Sequence, residues 1–262
     1  MKLTTINLNI SDGIATILLN RPNVLNAINH SMWEELIYVF HSLGNSSEAR
    51  VAIITGAGRG FCSGADLKEV AWRGETLSES RSRIERNNQQ LAREMVATRI
   101  PIIAAINGYA LGGGVEIALA ADLRIASENA KFGFPEATIG RFISGGASLL
   151  LPKTIGMSWA KRLIFTGEHI TANKASEIGL VEEITSSNAL TERANELAKM
   201  ITQNAPISIE LSKKVLNKVS LDQLETALAF ETEALIATYT TLDNEEGVAA
   251  FSRREAPNFS GE

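Results

Sequence analysis

Cysteine is nearly absent from the sequence: Cys62 is the only one among 262 residues. A single cysteine cannot form an intrachain disulfide, and disulfides are common mainly in proteins of oxidising compartments. The first residues, MKLTTINLNISDG, also lack the apolar segment of a secretory signal and the arginines of a transit peptide. We therefore expect a protein of a reducing compartment, with a cytoplasmic location.

The sequence also lacks a long apolar run and an excess of basic residues. Its most apolar stretch, 102–121, is interrupted by Asn107, by three glycines and by Glu116, and is too polar to cross a bilayer. The net charge of −5 argues against the basic surface that nucleic-acid binding requires. We therefore expect neither a membrane nor a nucleic acid as a partner.

Few residues carry the signature of a metal, nucleotide or hydrolase site. None of the three histidines, His30, His41 and His169, has metal-ligand spacing to another histidine, a cysteine or an acid, so no metal is predicted. The G-x-S-x-G sequence of a hydrolase nucleophile is missing. Residues 56–60, GAGRG, lack the third glycine of the dinucleotide fingerprint, so we expect no dinucleotide cofactor.

Apolar periodicity and turn residues divide the chain into strands and helices. Strands are predicted at 4–10, 14–19, 51–54, 102–106, 123–126 and 180–184. Helices are predicted from Ser31 to Gly44, at 78–98, 115–121, 145–151, 157–165, 171–178, 188–203, 206–219 and 221–241, and from Asn244. Because strands alternate with helices and only helices follow, we expect an α/β core domain over 1–200 and a helical C-terminal extension over 201–262.

The stretch 102–126 contains the first candidate site. It reads as strand, glycine turn, helix and strand, and Glu116 falls in the first helical turn among apolar residues. A buried carboxylate is costly unless it is paired or protonated. The glycines 112–114 allow close approach of a ligand and leave helix N–H groups available for a negative oxygen. Such donors beside a carboxyl fit acyl-group chemistry, although a tight turn with a Glu that favours the helix dipole explains the pattern too.

A second carboxyl, Glu136, lies about 20 residues further on, in an apolar segment rich in phenylalanine. A capping or surface role is the alternative interpretation. Two carboxyls in apolar surroundings can divide the roles of acid and base between them.

Together these segments resemble the enoyl-CoA hydratase/isomerase (crotonase) family over nearly the whole chain. The matching segments are LNRPNVLNAIN (19–29), FCSGADLKEV (61–70), INGYALGGGVEIALAADLRIAS (106–127), KFGFPEATIG (131–140), LPKTIG (151–156), TGEHITANKASEIGLV (166–181) and EGVAAFSRREAPNF (246–259).

The resemblance implies a crotonase-like α/β fold, a spiral of ββα units with a helical C-terminal trimerisation region. It implies a homotrimer or a homohexamer that acts on acyl-CoA thioesters, as in fatty acid metabolism. No separate cofactor is expected, because coenzyme A is part of the substrate.

The resemblance also implies which residues form the site. The family holds the thioester oxygen in an oxyanion hole of two backbone N–H groups, which fall here on Ala65 and Gly113. Residues implied to contact the substrate are Val24, Leu25, Ala65, Asp66, Leu67, Lys68, Gly113 and Arg254. Of these, Arg254 matches a position that reaches the CoA phosphates, often across a subunit boundary.

Both glutamates of the family's hydratases are present. Glu116 matches the residue that activates water, and Glu136 matches the one that exchanges the proton at Cα. We therefore expect reversible syn addition of water to a 2-enoyl-CoA. The alternatives are a double-bond isomerase that uses Glu136 alone, a related enzyme for a cyclic, branched or carnitinyl acyl group, and a silent acyl-CoA-binding protein.

One loop departs from the family pattern. After PEATIG the family usually reads x-x-P-G-x-G-G, whereas Ile143 and Ser144 replace the Pro-Gly and Ala147 replaces the last glycine. In the family this loop borders the acyl chain and the catalytic water. The departure therefore leaves the identity of the acyl group open.

Overall fold

The computed structural model describes residues 1–68 and 75–262, except the side chains of 219 and 220. The last two residues of the FCSGADLKEV segment lie outside this range. Within the described residues, ten strands form two sheets: β1 (Ile6–Ser11), β2 (Ile14–Leu19), β3 (Val51–Gly56), β4 (Gly60–Cys62), β5 (Ile102–Ile106), β6 (Tyr109–Leu111), β7 (Leu123–Ser127), β8 (Lys131–Gly133), β9 (Ile170–Thr171) and β10 (Glu183–Thr185).

The larger sheet has the order β1-β2-β3-β5-β7-β10, and the smaller has the order β4-β6-β8-β9. Only the β1–β2 and β8–β9 pairs are antiparallel among the described strands. Every residue of the central strand β5 is buried, as expected for a parallel strand covered on both faces. The predicted first hairpin is confirmed, with Asp12 and Gly13 both at positive φ in its turn.

The helices are α1 (His30–Asn45), α2 (Leu77–Ile84), α3 (Gln90–Ala97), α4 (Gly113–Ala120), α5 (Ala147–Thr166), α6 (Ala172–Glu177), α7 (Leu190–Thr202), α8 (Pro206–Leu221), α9 (Leu224–Tyr239) and α10 (Leu242–Arg253). Short 3₁₀ turns occupy Pro22–Val24 and Pro135–Ile139. The α/β fold class predicted from the alternation of strands and helices is confirmed.

Several predicted boundaries differ from the structure. The helix predicted from Ser31 begins at His30, because the Asn29 side chain accepts a hydrogen bond from the Met32 N–H at 3.0 Å and caps it. The two helices predicted near 145–151 and 157–165 are one element, α5, interrupted at Gly156 by a non-helical conformation. The strand predicted at 180–184 is β10, shifted towards the C-terminus.

The long polar helix predicted at 78–98 consists of α2 and α3 joined by a π-helical turn at Glu85–Gln89. Its predicted inward residues Ile84, Leu91 and Met95 are buried. A π turn inserts one extra residue per turn, and such turns are frequent at functional sites. Here the turn directs Gln89 towards α9, where its amide donates to the Leu228 carbonyl.

The C-terminal helices pack against the part of the chain that precedes them. Lys213 of α8 is buried and donates to Asp122 at 2.7 Å and to the Ile100 carbonyl at 3.0 Å. Helix α9 contacts α2 and α5, and α10 contacts the 135–139 turn. The division into domains 1–200 and 201–262 remains a prediction. Within the described ranges, no helix has the length and apolar character needed to cross a membrane.

The first turn of α4 packs directly on the smaller sheet. A Cβ atom at Gly114 would lie 2.0 Å from the Cys62 carbonyl oxygen, which is far inside van der Waals contact. Gly114 therefore permits the backbone of α4 to touch the end of β4.

Replacement of Gly114 by alanine should consequently lower the free energy of unfolding by about 3 kcal/mol or more, because backbone must move to admit the methyl group. Gly44→Ala in α1 is the control: the nearest atom to its Cβ would be the Thr98 hydroxyl oxygen, at 3.2 Å, with the other Thr98 atoms at 3.8 Å or more, and the expected change is within about 1 kcal/mol. Urea denaturation of both variants measures the difference. Equal stabilities would contradict this role of Gly114.

Candidate functional site

Glu116 lies in the first turn of α4 and is only 5% exposed. Its Oε1 accepts a hydrogen bond from the Ser144 N–H at 2.8 Å, and the neighbouring Gly145 N–H also lowers the pKa of the carboxyl. A Cβ at Gly145 would lie 2.6 Å from Oε2, so the loop backbone lies directly against the carboxylate. The loop that departs from the family pattern is thus the one that holds Glu116.

Glu136 lies in the 3₁₀ turn Pro135–Ile139, just after β8. A Cβ at Gly112 would lie 2.3 Å from its Oε1, so the carboxyl rests against the glycine turn that begins α4. Glu136 Oε2 is buried and has no hydrogen-bond partner in the described part of the chain. An acceptor buried in this way is costly when ionised, which favours the protonated form.

Burial raises the pKa of both carboxyls. Loss of hydration, together with the nearby charge of Glu231, raises the pKa of Glu116 to about 7. Loss of hydration and the charge of Glu116 raise the pKa of Glu136 to about 8, against an opposing effect of Arg141. Because each carboxyl affects the other, the two titrate as a coupled pair. Perturbed pairs of this kind are characteristic of functional sites.

Two backbone N–H groups lie close together beside the glycine turn. Gly113 is the first residue of α4, where an N–H has no acceptor within the helix. A Cβ at Gly113 would lie 3.8 Å from the Ala65 nitrogen, so the two amides are neighbours. Ala65 forms a parallel bridge with Ile28 through its flanking groups: Ile28 N–H donates to Gly64 O, and Asp66 N–H donates to Ile28 O. The Ala65 N–H therefore points away from that bridge.

Residues 21–28 form hydrogen bonds that hold the Ala65 side of the site in place. The buried Asn26 side chain donates to the Ala57 and Gly60 carbonyls at 3.0 and 2.8 Å. Arg21 donates to Asp66 at 2.9 Å, and the Lys68 N–H donates to the same carboxylate at 3.2 Å. The Asp66 side chain is thus occupied by the protein, and its predicted substrate contact stays a prediction.

The other residues predicted to contact CoA lie at different depths. Val24 and Lys68 are exposed, while Leu25 and Leu67 are half-buried near the 63–65 segment. The Ser63 N–H donates to Leu25 O at 3.0 Å, which joins the two segments. Arg254 is exposed at the C-terminal end of α10. Contact of any of these residues with substrate remains a prediction.

Sequence reasoning assigned no role at the site to Asn88, Ser144 or Glu231, which lie near the glutamates. Buried Ser144 accepts a hydrogen bond from the Asn88 amide at 2.6 Å. Glu231 of α9 is 1% exposed and holds the end of the same loop. The departure at Ile143-Ser144 indicated the loop, but no local pattern connects it to residues so far away in sequence.

No group of three or more metal-ligating side chains occurs within residues 1–68 and 75–262. Glu116 and Glu231 accept hydrogen bonds from backbone N–H groups, and Glu136 lies against Gly112. The arrangement offers one pair of N–H donors and two carboxyls with raised pKa values around one glycine turn. It can therefore bind a negative oxygen and exchange protons next to it.

The raised pKa values predict how stability depends on pH. A carboxyl with a higher pKa in the folded state keeps its proton there while the unfolded chain loses it, so the free energy of unfolding falls as pH rises. For Glu136 this interval runs from about 4.5 to about 8. Glu136→Gln should therefore stabilise the protein at pH 8 by about 2–4 kcal/mol and have little effect near pH 5.

Urea denaturation at the two pH values measures this difference. Glu192→Gln, at an exposed position in the first turn of α7, is the control and should show no such pH-dependent gain. A Glu136→Gln variant with the wild-type slope between pH 5 and pH 8 would contradict the raised pKa.

Comparison with known proteins assigns the family. The enoyl-CoA hydratase/isomerase family model matches residues 9–262. Short-chain-enoyl-CoA hydratase of Clostridium acetobutylicum is 39% identical over 96% of this chain and 95% of its own. The 2,3-dehydroadipyl-CoA hydratase of Escherichia coli is 34% identical over 95% of each chain. An enoyl-CoA hydratase structure from Mycobacterium avium subsp. paratuberculosis has a TM-score of 0.88 and 28% identity, over 99% of this chain and 100% of that one. The chain therefore belongs to the enoyl-CoA hydratase/isomerase (crotonase) family and has its fold.

Proposed function

We propose that the protein is an enoyl-CoA hydratase, which adds water reversibly to the double bond of a 2-enoyl-CoA thioester. The observation that carries this proposal is the placement of two buried carboxyls, Glu116 and Glu136, around the glycine turn whose N–H neighbours that of Ala65. The hydratase names of the relatives described above support the same reaction.

The N–H groups of Ala65 and Gly113 are proposed to donate to the thioester carbonyl oxygen. Negative charge develops on this oxygen when a nucleophile adds to Cβ and an enolate forms. Backbone donors that are already fixed stabilise that charge without reorganisation, and the loss of one such donor typically costs about 10²–10³ in rate. Gly113 contributes in addition the positive end of the α4 dipole.

The two carboxyls then divide the proton transfers. Glu116 takes a proton from water as the water oxygen bonds to Cβ, and the electrons of the double bond pass into the enolate. Glu136 gives its proton to Cα as the enolate collapses to the thioester. Return of the proton from Glu116 to Glu136, through solvent or the next water, restores the site, so the sum is one water added.

The hydrogen bonding of the two carboxyls supports this division. Glu116 accepts a hydrogen bond from the Ser144 N–H, which favours its ionised form, whereas the buried Oε2 of Glu136 receives none in the described residues, which favours its protonated form. An ionised base and a protonated acid are what hydration requires. A carboxyl pair with pKa values of about 7 and about 8 therefore suits catalysis in both directions near neutrality.

Coenzyme A is proposed to lie along Val24, Leu25 and the 65–68 segment. The half-buried Leu25 and Leu67 offer apolar contacts beside the N–H pair, and exposed Lys68 offers a positive charge for phosphate. Because CoA arrives as part of the substrate, we propose no separate cofactor. Arg254 is proposed to bind CoA phosphates, either in its own subunit or across a subunit boundary.

Self-association into a homotrimer or homohexamer is also part of the proposal. Large apolar side chains are exposed on the C-terminal helices: Ile207, Leu211, Val215, Leu216, Phe230 and Phe251. Ile207, Leu211 and Val215 recur every four residues and so lie along one face of α8. Clusters of exposed large apolar side chains favour burial against another subunit. We further propose a cytoplasmic location, on the cysteine content of the chain.

The acyl group is set by the 141–147 loop in this proposal. Relatives of similar identity carry names that specify different acyl groups, short-chain in one and 2,3-dehydroadipyl in another. In this chain the loop contributes buried Arg141, Ile143 and Ser144 beside the glutamates. The presence of both carboxyls favours hydration over isomerisation by Glu136 alone and over binding without turnover.

Hydration of crotonyl-CoA, followed as loss of the absorbance of the conjugated thioester, tests the reaction. Glu116→Gln should lower kcat by about 10³-fold, because no base remains to take the proton from water. Binding of crotonyl-CoA should persist, since the N–H donors are unchanged. Glu192→Gln is the control and should match the wild type.

Undiminished hydration by Glu116→Gln would exclude the water-activating role. Isomerisation of a 3-enoyl-CoA by wild type, without hydration of any 2-enoyl-CoA, would establish the isomerase instead. Binding without turnover of either substrate would establish the silent acyl-CoA-binding protein.

Arg254→Ala should weaken affinity for an acyl-CoA by about tenfold and leave affinity for the matching pantetheine thioester unchanged, because only CoA carries the nucleotide phosphates. Arg253→Ala is a matched control, since Arg253 already pairs with Glu246 and Glu255 in the same helix region. Isothermal titration with both ligands provides the comparison. Equal losses for the two thioesters would argue against a phosphate contact.

A further inference from the structure

Glu231 is a further buried carboxyl near the site, and the proposed reaction does not use it. It projects from α9 and is 1% exposed, whereas Glu233, two residues further along the helix, is exposed and pairs with Arg81. A charged side chain is rarely buried to this extent unless hydrogen bonds compensate for lost hydration.

The compensation comes from the start of α5. Glu231 Oε2 accepts from the Gly146 N–H at 2.8 Å, and Oε1 accepts from the Ser148 N–H at 2.7 Å. Gly146 is the N-cap residue of α5 and has no side chain with which to cap the helix itself. Glu231 therefore supplies from a distant helix the acceptor that an N-cap side chain usually provides, and its charge suits the helix N-terminus.

The same short segment holds the proposed catalytic base. Along 144–148, the Ser144 N–H donates to Glu116, and those of Gly146 and Ser148 donate to Glu231. N–H groups of one short segment thus hold two carboxylates that come from α4 and α9. Any movement of the segment away from Glu231 also moves the donor that orients Glu116.

A second set of hydrogen bonds holds α9 next to Glu231. The Gln89 amide, in the π turn, donates to the Leu228 carbonyl and to the Thr232 hydroxyl, on either side of Glu231. The neighbouring Asn88 donates to the Ser144 hydroxyl at 2.6 Å. The π turn therefore contacts both ends of the path from Glu231 to Glu116.

We propose that Glu231 is a positioning residue for the hydration reaction, which fixes the 144–148 segment and thereby the orientation of the Glu116 carboxylate. This inference rests on the proposed function of Glu116. It assigns Glu231 no contact with substrate.

The charge of Glu231 gives this role a measurable signature. Three ionisable groups interact with Glu116: Glu231 from α9 raises its pKa, and Glu116 in turn raises the pKa of Glu136 in the 135–139 turn and of Cys62 in β4. Arg141 acts on Glu136 in the opposite direction. The like charge of Glu231 raises the pKa of Glu116. Loss of that charge lowers it, so Glu116 stays ionised, and hence active as a base, to a lower pH.

The experiment compares kcat–pH profiles for hydration by wild type, Glu231→Gln, Glu231→Ala and Glu233→Gln. Glu231→Gln should move the acid limb of the profile to lower pH by about half a unit to one unit. Glu231→Ala should lower kcat by about tenfold or more, because the 144–148 segment loses the two hydrogen bonds that Glu231 accepts. KM should change by less than about twofold, because the groups proposed to bind the thioester are unchanged. Glu233→Gln should retain the wild-type profile.

A merely structural role predicts a lower melting temperature with an unmoved acid limb, and that result would overturn the proposal. An acid limb that moves equally in Glu233→Gln would overturn it too. For a variant that folds too poorly for kinetics, the ¹³C carboxyl titration of Glu116 by NMR in Glu231→Gln gives the same readout: a lower midpoint supports the proposal, and an unchanged one refutes it. Failure of the wild type to hydrate any 2-enoyl-CoA would instead reject the proposed function, while the NMR titration still reports whether Glu231 acts on Glu116.

Discussion

Backbone contact between the glycine turn 112–114 and the segment 62–65 is the constraint on which the site depends. Gly114 lies so close to the Cys62 carbonyl that no side chain fits between them. The contact follows from two adjacent parallel strands, β4 and β6, whose ends lead into Ala65 and Gly113. A pair of N–H donors made in this way is rigid, because moving either donor would require the sheet to change register.

Three glutamates are buried near this pair of N–H groups, and burial of ionised carboxyls is costly. Glu116, Glu136 and Glu231 lie close enough for their charges to interact, and burial raises the pKa of each. Backbone N–H groups offset part of this cost for Glu116 and Glu231, whereas buried Oε2 of Glu136 receives no such bond in the described residues. Glu136, the carboxyl with the fewest hydrogen bonds to stabilise its ionised form, is also the one proposed to carry a proton.

The C-terminal helices are part of the same arrangement, although they follow the sheets in the chain. Glu231 of α9 caps α5, buried Lys213 of α8 pairs with Asp122 just after α4, and α10 packs on the turn that carries Glu136. Loss of packing by these helices would therefore displace the helix ends and loops that hold the glutamates. A helical region predicted as an extension thus contributes directly to the geometry around the glutamates.

The sequence by itself determined the elements that local rules control. The hairpin, the apolar face of α1 and the α4 turn follow from alternation, periodicity and glycine, and Glu116 was conspicuous as a carboxylate in an apolar helix. Only the tertiary structure decided the rest. Strands β4, β6 and β8 have three residues each, too few for periodicity to reveal. Glu231 resembles any surface acid of an amphipathic helix until its partners, more than 80 residues away, are brought to it by the packing of α9 on α5.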